Sequence, residues 1–110
     1  MYCQVIRGRF SDETINFYDM TWKLQEFTGL SRHIISDTVV LKPKHFKKMK
    51  EFCALLSSNI PFIRVDFYES SCGLYFGELT FFPACGYGHF EPLKWNRIMG
   101  DLIKLPNKYE

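Results

Sequence analysis

The sequence predicts an α+β fold, a mainly antiparallel sheet with two helices, and three features carry that reading. Residues 62–69 (FIRVDFYE) and 74–82 (LYFGELTFF) are runs of aromatic and branched residues at strand length, separated by 70–73 (SSCG). Behind Pro43, the apolar residues Phe46, Met49, Cys53 and Leu56 recur at spacings of three and four, one stripe of a helix. A second, shorter stripe of Trp95, Ile98, Met99 and Leu102 follows Glu91-Pro92.

In chain order, residues 2–7 (YCQVIR) read as a strand from the Val-Ile pair and the following Gly8. A polar turn at Ser11-Asp12-Glu13 leads to a second strand, Thr14–Met20, so the chain opens with a hairpin. Residues 22–42 show no sustained period and are broken by Gly29; no element is assigned there. Pro43 suits the first position of the helix, where its missing N–H costs little, and the helix runs to about Ser57. Lys44, Lys47, Lys48 and Glu51 lie off its apolar stripe, and Asn59 and Pro61 end it. A glycine-rich turn at 83–88 separates the second hairpin from the last helix, which closes near Pro106. No internal repeat or low-complexity segment interrupts the chain, which is expected to form a single domain over 1–110.

Composition narrows the function classes. The net charge of +2 gives no basis for a nucleic-acid or membrane-surface role, and no apolar run is long enough to span a bilayer. The N-terminus lacks the basic and apolar regions of a secretion signal, so a cytoplasmic setting with reduced thiols is expected. The four cysteines have neither CxxC spacing nor a paired histidine pattern, which argues against zinc. Aromatics are abundant, at 17%, enough to stabilise a small core and to leave apolar surface that a partner would cover.

The chemistry concentrates in the second hairpin. With Ser71-Cys72-Gly73 as a three-residue loop, Ser70 stands opposite Leu74, Tyr68 opposite Phe76, Asp66 opposite Glu78 and Arg64 opposite Thr80. Side chains alternate along a strand, so Arg64, Asp66, Tyr68, Phe76, Glu78 and Thr80 share one face. Two carboxylates directly opposed repel each other, and these sit within very apolar segments. A divalent cation removes the conflict. Mg²⁺ takes hard oxygen ligands, often one or two carboxylates plus substrate phosphates, and a neighbouring Arg offers a fork suited to phosphate oxygens. A plainer reading of the same residues is a surface ion pair between Arg64 and Asp66, which contributes little.

Pro61–Tyr68 (PFIRVDFY) followed by Gly77–Pro83 (GELTFFP) resembles the C-terminal core of ATP-grasp ligases, including the D-alanine–D-alanine ligase group. The chain is most similar to the TupA-like ATP-grasp family, linked to teichuronopeptide and other surface-polysaccharide biosynthesis. Gly77–Phe81, the turn Gly86-Tyr87-Gly88, the segment Glu91–Gly100 with its Trp, and Ile103–Pro106 all carry this resemblance. Arg9-Phe10 and Phe17-Tyr18-Asp19 with Trp22 resemble an upstream block of the same family.

The resemblance implies residue roles. Asp66 and Glu78 match the carboxylates that hold Mg²⁺ on the ATP phosphates, and Arg64 matches the Arg that stabilises the transferring phosphoryl group. Thr80 stands where the wider superfamily has an Asn metal ligand, and Arg9, which follows a strand and matches a family position, reads as a phosphate or substrate contact or, as a lone Arg, as a surface residue. The implied chemistry is ATP-driven activation of a carboxylate to an acyl phosphate, then attack by an amine, with ATP and Mg²⁺ as cofactors. ATP-grasp enzymes also use an N-terminal domain and a small ATP-clamping domain. The 110 residues match only a C-terminal portion, so the remaining lobes are expected on another chain or lost, with little activity alone.

Other features are weaker. The run Lys42–Lys50 (KPKHFKKMK) reads as the solvated face of the helix rather than a nucleic-acid patch. His33, His45 and His89 are scattered, and Cys85 has no identifiable base. Two readings from other classes stand beside the ligase: a non-catalytic interaction module, and a metal-dependent nuclease. The nuclease would need a Lys where Thr80 stands.

Overall fold

A computed structural model describes residues 1–8, 10–29 and 35–107 of the protein. The fold is α+β with antiparallel pairing throughout its strands, as predicted, and two helices. Among the described residues pairing stops at two strands in each case, giving three two-stranded sheets. The chain divides into two compact units, one of residues 1–40 and 84–102, the other of 41–83 and 103–110.

In the first unit, β1 (Cys3–Arg7) pairs with β2 (Thr14–Tyr18), with Cys3 opposite Tyr18 and Arg7 opposite Thr14. This is the predicted opening hairpin. β2 stops two residues earlier than expected, at Tyr18, because Asp19 begins a tight turn. The Asp19 carboxylate accepts from the Thr21 and Lys23 amides at 2.9 and 3.0 Å and from the Thr21 hydroxyl at 2.7 Å. These donors, led by the Lys23 amide, hold its carboxyl below the usual aspartate range. Trp22 then folds back and stacks on Tyr18, with ring centroids 4.3 Å apart.

The unassigned stretch contains β3 (Thr28–Gly29), which pairs with β6 (Phe90–Glu91). Two residues per strand leave too little periodicity to read in advance. The core of this unit is aromatic: Ile15, Phe17, Phe27 and Phe90 are buried, with Tyr2, Trp95 and Met99 packed against them. Trp95 comes from α2 (Lys94–Gly100) and stacks on Phe27 with centroids 4.1 Å apart. The Trp95 indole N–H is buried without a hydrogen-bond partner, whereas the buried Thr28 and Asn16 side chains have theirs. The Thr28 hydroxyl donates to the Ile15 carbonyl at 2.7 Å, and the Asn16 side chain exchanges two bonds with the Ser36 backbone.

The second unit sets α1 (Phe46–Leu56) against a hairpin of β4 (Arg64–Ser70) and β5 (Gly73–Thr80). The helix begins three residues after Pro43, since the first turn is closed by the Phe46 amide to the Pro43 carbonyl at 3.2 Å. Glu69, reaching across from β4, supplies the cap. Its carboxylate accepts from the His45 amide at 2.7 Å, the Lys44 amide at 3.2 Å and the His45 ring at 2.8 Å. Phe46 is buried beneath the ammonium groups of Lys42 and Lys50, 5.7 and 5.3 Å from its ring centroid. Lys42, Lys44, Lys47 and Lys48 are exposed, the solvated arrangement expected of the basic run.

Candidate functional site

The β4–β5 hairpin departs from the predicted register at its turn and rejoins it further along. The loop is two residues, Ser71-Cys72, with Ser70 opposite Gly73, Glu69 opposite Leu74, Tyr68 opposite Tyr75 and Phe67 opposite Phe76. Tyr68 therefore faces Tyr75, not Phe76. Gly73 has φ +139°, a conformation that L side chains rarely adopt, and it opens β5 instead of ending the loop. A bulge between Val65 and Phe67 restores the expected pairing, so Val65 faces Leu79 and Arg64 faces Thr80.

The bulge places Gly77 and Glu78 together opposite Asp66, in place of a one-to-one pairing of Asp66 with Glu78. Gly77 is required by close packing. A Cβ there would lie 2.7 Å from the Tyr68 ring and 3.0 Å from the Asp66 carbonyl oxygen. A glycine inside a strand pattern is a sequence signal for such a bulge.

On this face Arg64, Asp66, Glu78 and Thr80 come together. The Arg64 Nε donates to Asp66 Oδ1 at 2.8 Å, and Nη2 donates to Asp66 Oδ2 at 3.1 Å and to the Thr80 hydroxyl at 3.4 Å. Nη2 also lies 3.5 Å from Glu78 Oε1. Arg64 and Asp66 are half-buried, whereas the Glu78 side chain is 66% exposed. The guanidinium thus sits between the two carboxylates and relieves their repulsion, which is the ion pair of the plainer reading. The four converging groups are hard oxygens and a planar cation, a donor set suited to phosphate and to an oxygen-seeking divalent ion.

The other titratable groups fall elsewhere. Arg9 and His33 lie outside the described residues. His45 is engaged by Glu69, and the His89 ring lies 3.3 Å from the Glu91 carboxylate. Cys85 is exposed in a turn where it and Ala84 both take left-handed conformations. Among the described residues, no group of three or more His, Cys, Asp or Glu side chains is placed to hold a metal ion. No helix among them is long and apolar enough to cross a membrane.

The TupA-like ATPgrasp family model matches residues 1–104. The chain belongs to this family. The match covers both the opening block and the hairpin, and membership gives the chain an ATP-grasp-related function. No curated protein and no solved structure matches it.

Proposed function

We propose that the Arg64–Asp66–Glu78–Thr80 face of this TupA-like ATPgrasp chain is the metal and phosphate half of a ligase site. The observation that carries the proposal is the convergence of all four side chains on one face of the β4–β5 hairpin. Asp66 and Glu78 would hold Mg²⁺, with Thr80 beside them. Two carboxylates are too few for an all-protein cage and suit an ion that takes its other ligands from ATP and water. When bound, the ion supplies charge neutralisation on the phosphates. Arg64, planar and permanently charged, binds phosphate oxygens and offsets the charge of the transferring phosphoryl group.

The reaction proposed is carboxylate–amine ligation in cell-surface polysaccharide biosynthesis, in the cytoplasm. A carboxylate oxygen of the acid attacks the γ-phosphorus and ADP leaves. The amine then attacks the acyl carbon, phosphate leaves, and the amine loses a proton. The ATP-clamping lobes are proposed to come from outside these 110 residues. Phe81 and Phe82, 50% and 77% exposed directly after β5, give apolar surface that such a partner would cover.

A second reading, a non-catalytic interaction module, is favoured by the Arg64–Asp66 pair itself, since that pair already balances the charge. Calorimetric titration of Mg²⁺–ATP into the chain separates the two. Binding that is lost in the Asp66→Asn/Glu78→Gln double variant supports the ligase site. Failure of both proteins to bind supports the module.

A further inference from the structure

On the opposite face of the hairpin from Arg64 and Asp66, α1 and the two strands leave an open groove of about 670 Å³. Its walls are Phe52 and Leu56 of the helix and Phe67, Leu74 and Phe76 of the strands. Two basic side chains, His45 and Lys48, line it as well. Glu69 already engages His45. Lys48 is exposed and has no ion-pair partner among the described residues. The size and lining match a small-molecule site: mostly aromatic and aliphatic, with very few polar groups to fix orientation.

We infer that this groove binds a small anionic amphiphile, an alkyl or aryl body with a single acid head group. The body lies along Phe76 and along Phe52, whose ring already meets Phe67 at a centroid separation of 6.4 Å, removing exposed aromatic surface from water. The head group meets the Lys48 ammonium. The Glu69 carboxylate beside the groove is taken up by the His45 ring and the His45 and Lys44 amides, which leaves Lys48 as the cation that meets the head group. This site is independent of the phosphate–metal face, because the strands present their two faces alternately.

The test uses dodecanoate, with dodecyltrimethylammonium as a probe of identical tail and opposite charge, both below their micelle concentrations. Calorimetry and amide chemical-shift mapping on the full chain should show saturable dodecanoate binding, with shifts confined to α1 and the β4–β5 hairpin. Lys48→Glu should weaken dodecanoate about tenfold, since it replaces an exposed attraction by a repulsion. Lys94→Glu, in the other unit, should leave it unchanged. Phe76→Ala, at a residue 57% exposed and therefore removable without unfolding, should weaken both probes. Equal affinity for the two probes, indifference to Lys48→Glu, or shifts spread across both units would overturn the inference and leave only a general apolar surface. Absence of dodecanoate binding would overturn it outright.

Discussion

Arg64 grips Asp66 through two near-parallel bonds of 2.8 and 3.1 Å, and the nitrogen making the longer one is also the nitrogen nearest Glu78. The arrangement makes Arg64 a competitor for the same carboxylates that an ion would use. Free Mg²⁺ must loosen the pair, whereas Mg²⁺–ATP gives Arg64 phosphate oxygens in exchange. Arg64→Gln should therefore shift the two ligands in opposite directions. Affinity for free Mg²⁺ should rise about fivefold, the equivalent of roughly 1 kcal/mol for a half-exposed pair, while affinity for Mg²⁺–ATP falls. Parallel titrations of wild type and variant read both. A fall in both affinities, or no change in either, contradicts the phosphate role given to Arg64.

Gly77 makes a second, independent prediction, on stability. Gly77→Ala introduces a methyl group that must displace the Tyr68 ring and press on the Asp66 carbonyl, at 2.7 and 3.0 Å. Overpacking of this kind costs about 1–3 kcal/mol. The ring is the movable neighbour, since Tyr68 is 59% exposed, and the backbone carbonyl is not. Tyr68→Ala should thus recover part of the loss and never all of it, a coupling that a double-mutant cycle by urea unfolding measures. Full additivity of the two substitutions would mean that Tyr68 does not lie over Gly77.

The bulge also marks where the sequence stopped being readable. Alternation of Arg64, Asp66 and Tyr68 places them on one face, and Thr80 stands opposite Arg64 as expected only because the bulge offsets the shorter loop. The one-residue shift near the turn was not legible. It comes from two compensating local events, Gly73 at φ +139° opening β5 after only two loop residues, and the extra residue taken up at Gly77–Glu78. Period and propensity carry no record of the first, and Gly77 inside a strand pattern is the local signal of the second. Glu69 was missed for a related reason. It caps α1 from 24 residues away, through the His45 amide, and capping rules scan only adjacent positions. The β3–β6 pair joins Thr28–Gly29 to Phe90–Glu91, a long-range contact with no local signature.

The Glu69 cap predicts a pH dependence with a definite sign. The His45 amide above all, then the His45 ring and the Lys44 amide, hold the Glu69 carboxyl below the usual glutamate range. A carboxyl lowered by folding contributes stability that is fully present above its unfolded value, about 4.3, and is lost as pH falls through the folded value. Unfolding midpoints in urea should therefore be level with respect to this group near neutrality and drop below about pH 4.3. Glu69→Gln should reduce stability at pH 7 by about 1 kcal/mol, as removal of a helix cap does, and flatten part of the acid limb. A variant whose acid limb overlays the wild type would show that Glu69 is not the titrating group.

Phe27 is the residue on which the first unit depends most. It is fully buried, and its ring meets Tyr2, Phe17, Phe90 and Trp95 at centroid separations from 4.1 to 5.7 Å. Phe27→Ala removes a side chain that touches all four of these aromatic neighbours, and such truncations cost about 3–5 kcal/mol. A small unit whose core is built from so few buried residues has little stability in reserve. The variant should lose the near-ultraviolet circular dichroism of Trp95, which is set by its stacking on Phe27. The stack between Tyr18 and Trp22 does not involve Phe27, so Trp22→Phe separates the two indole signals. Retention of the Trp95 signal in Phe27→Ala would mean that α2 is held by contacts other than this aromatic cluster.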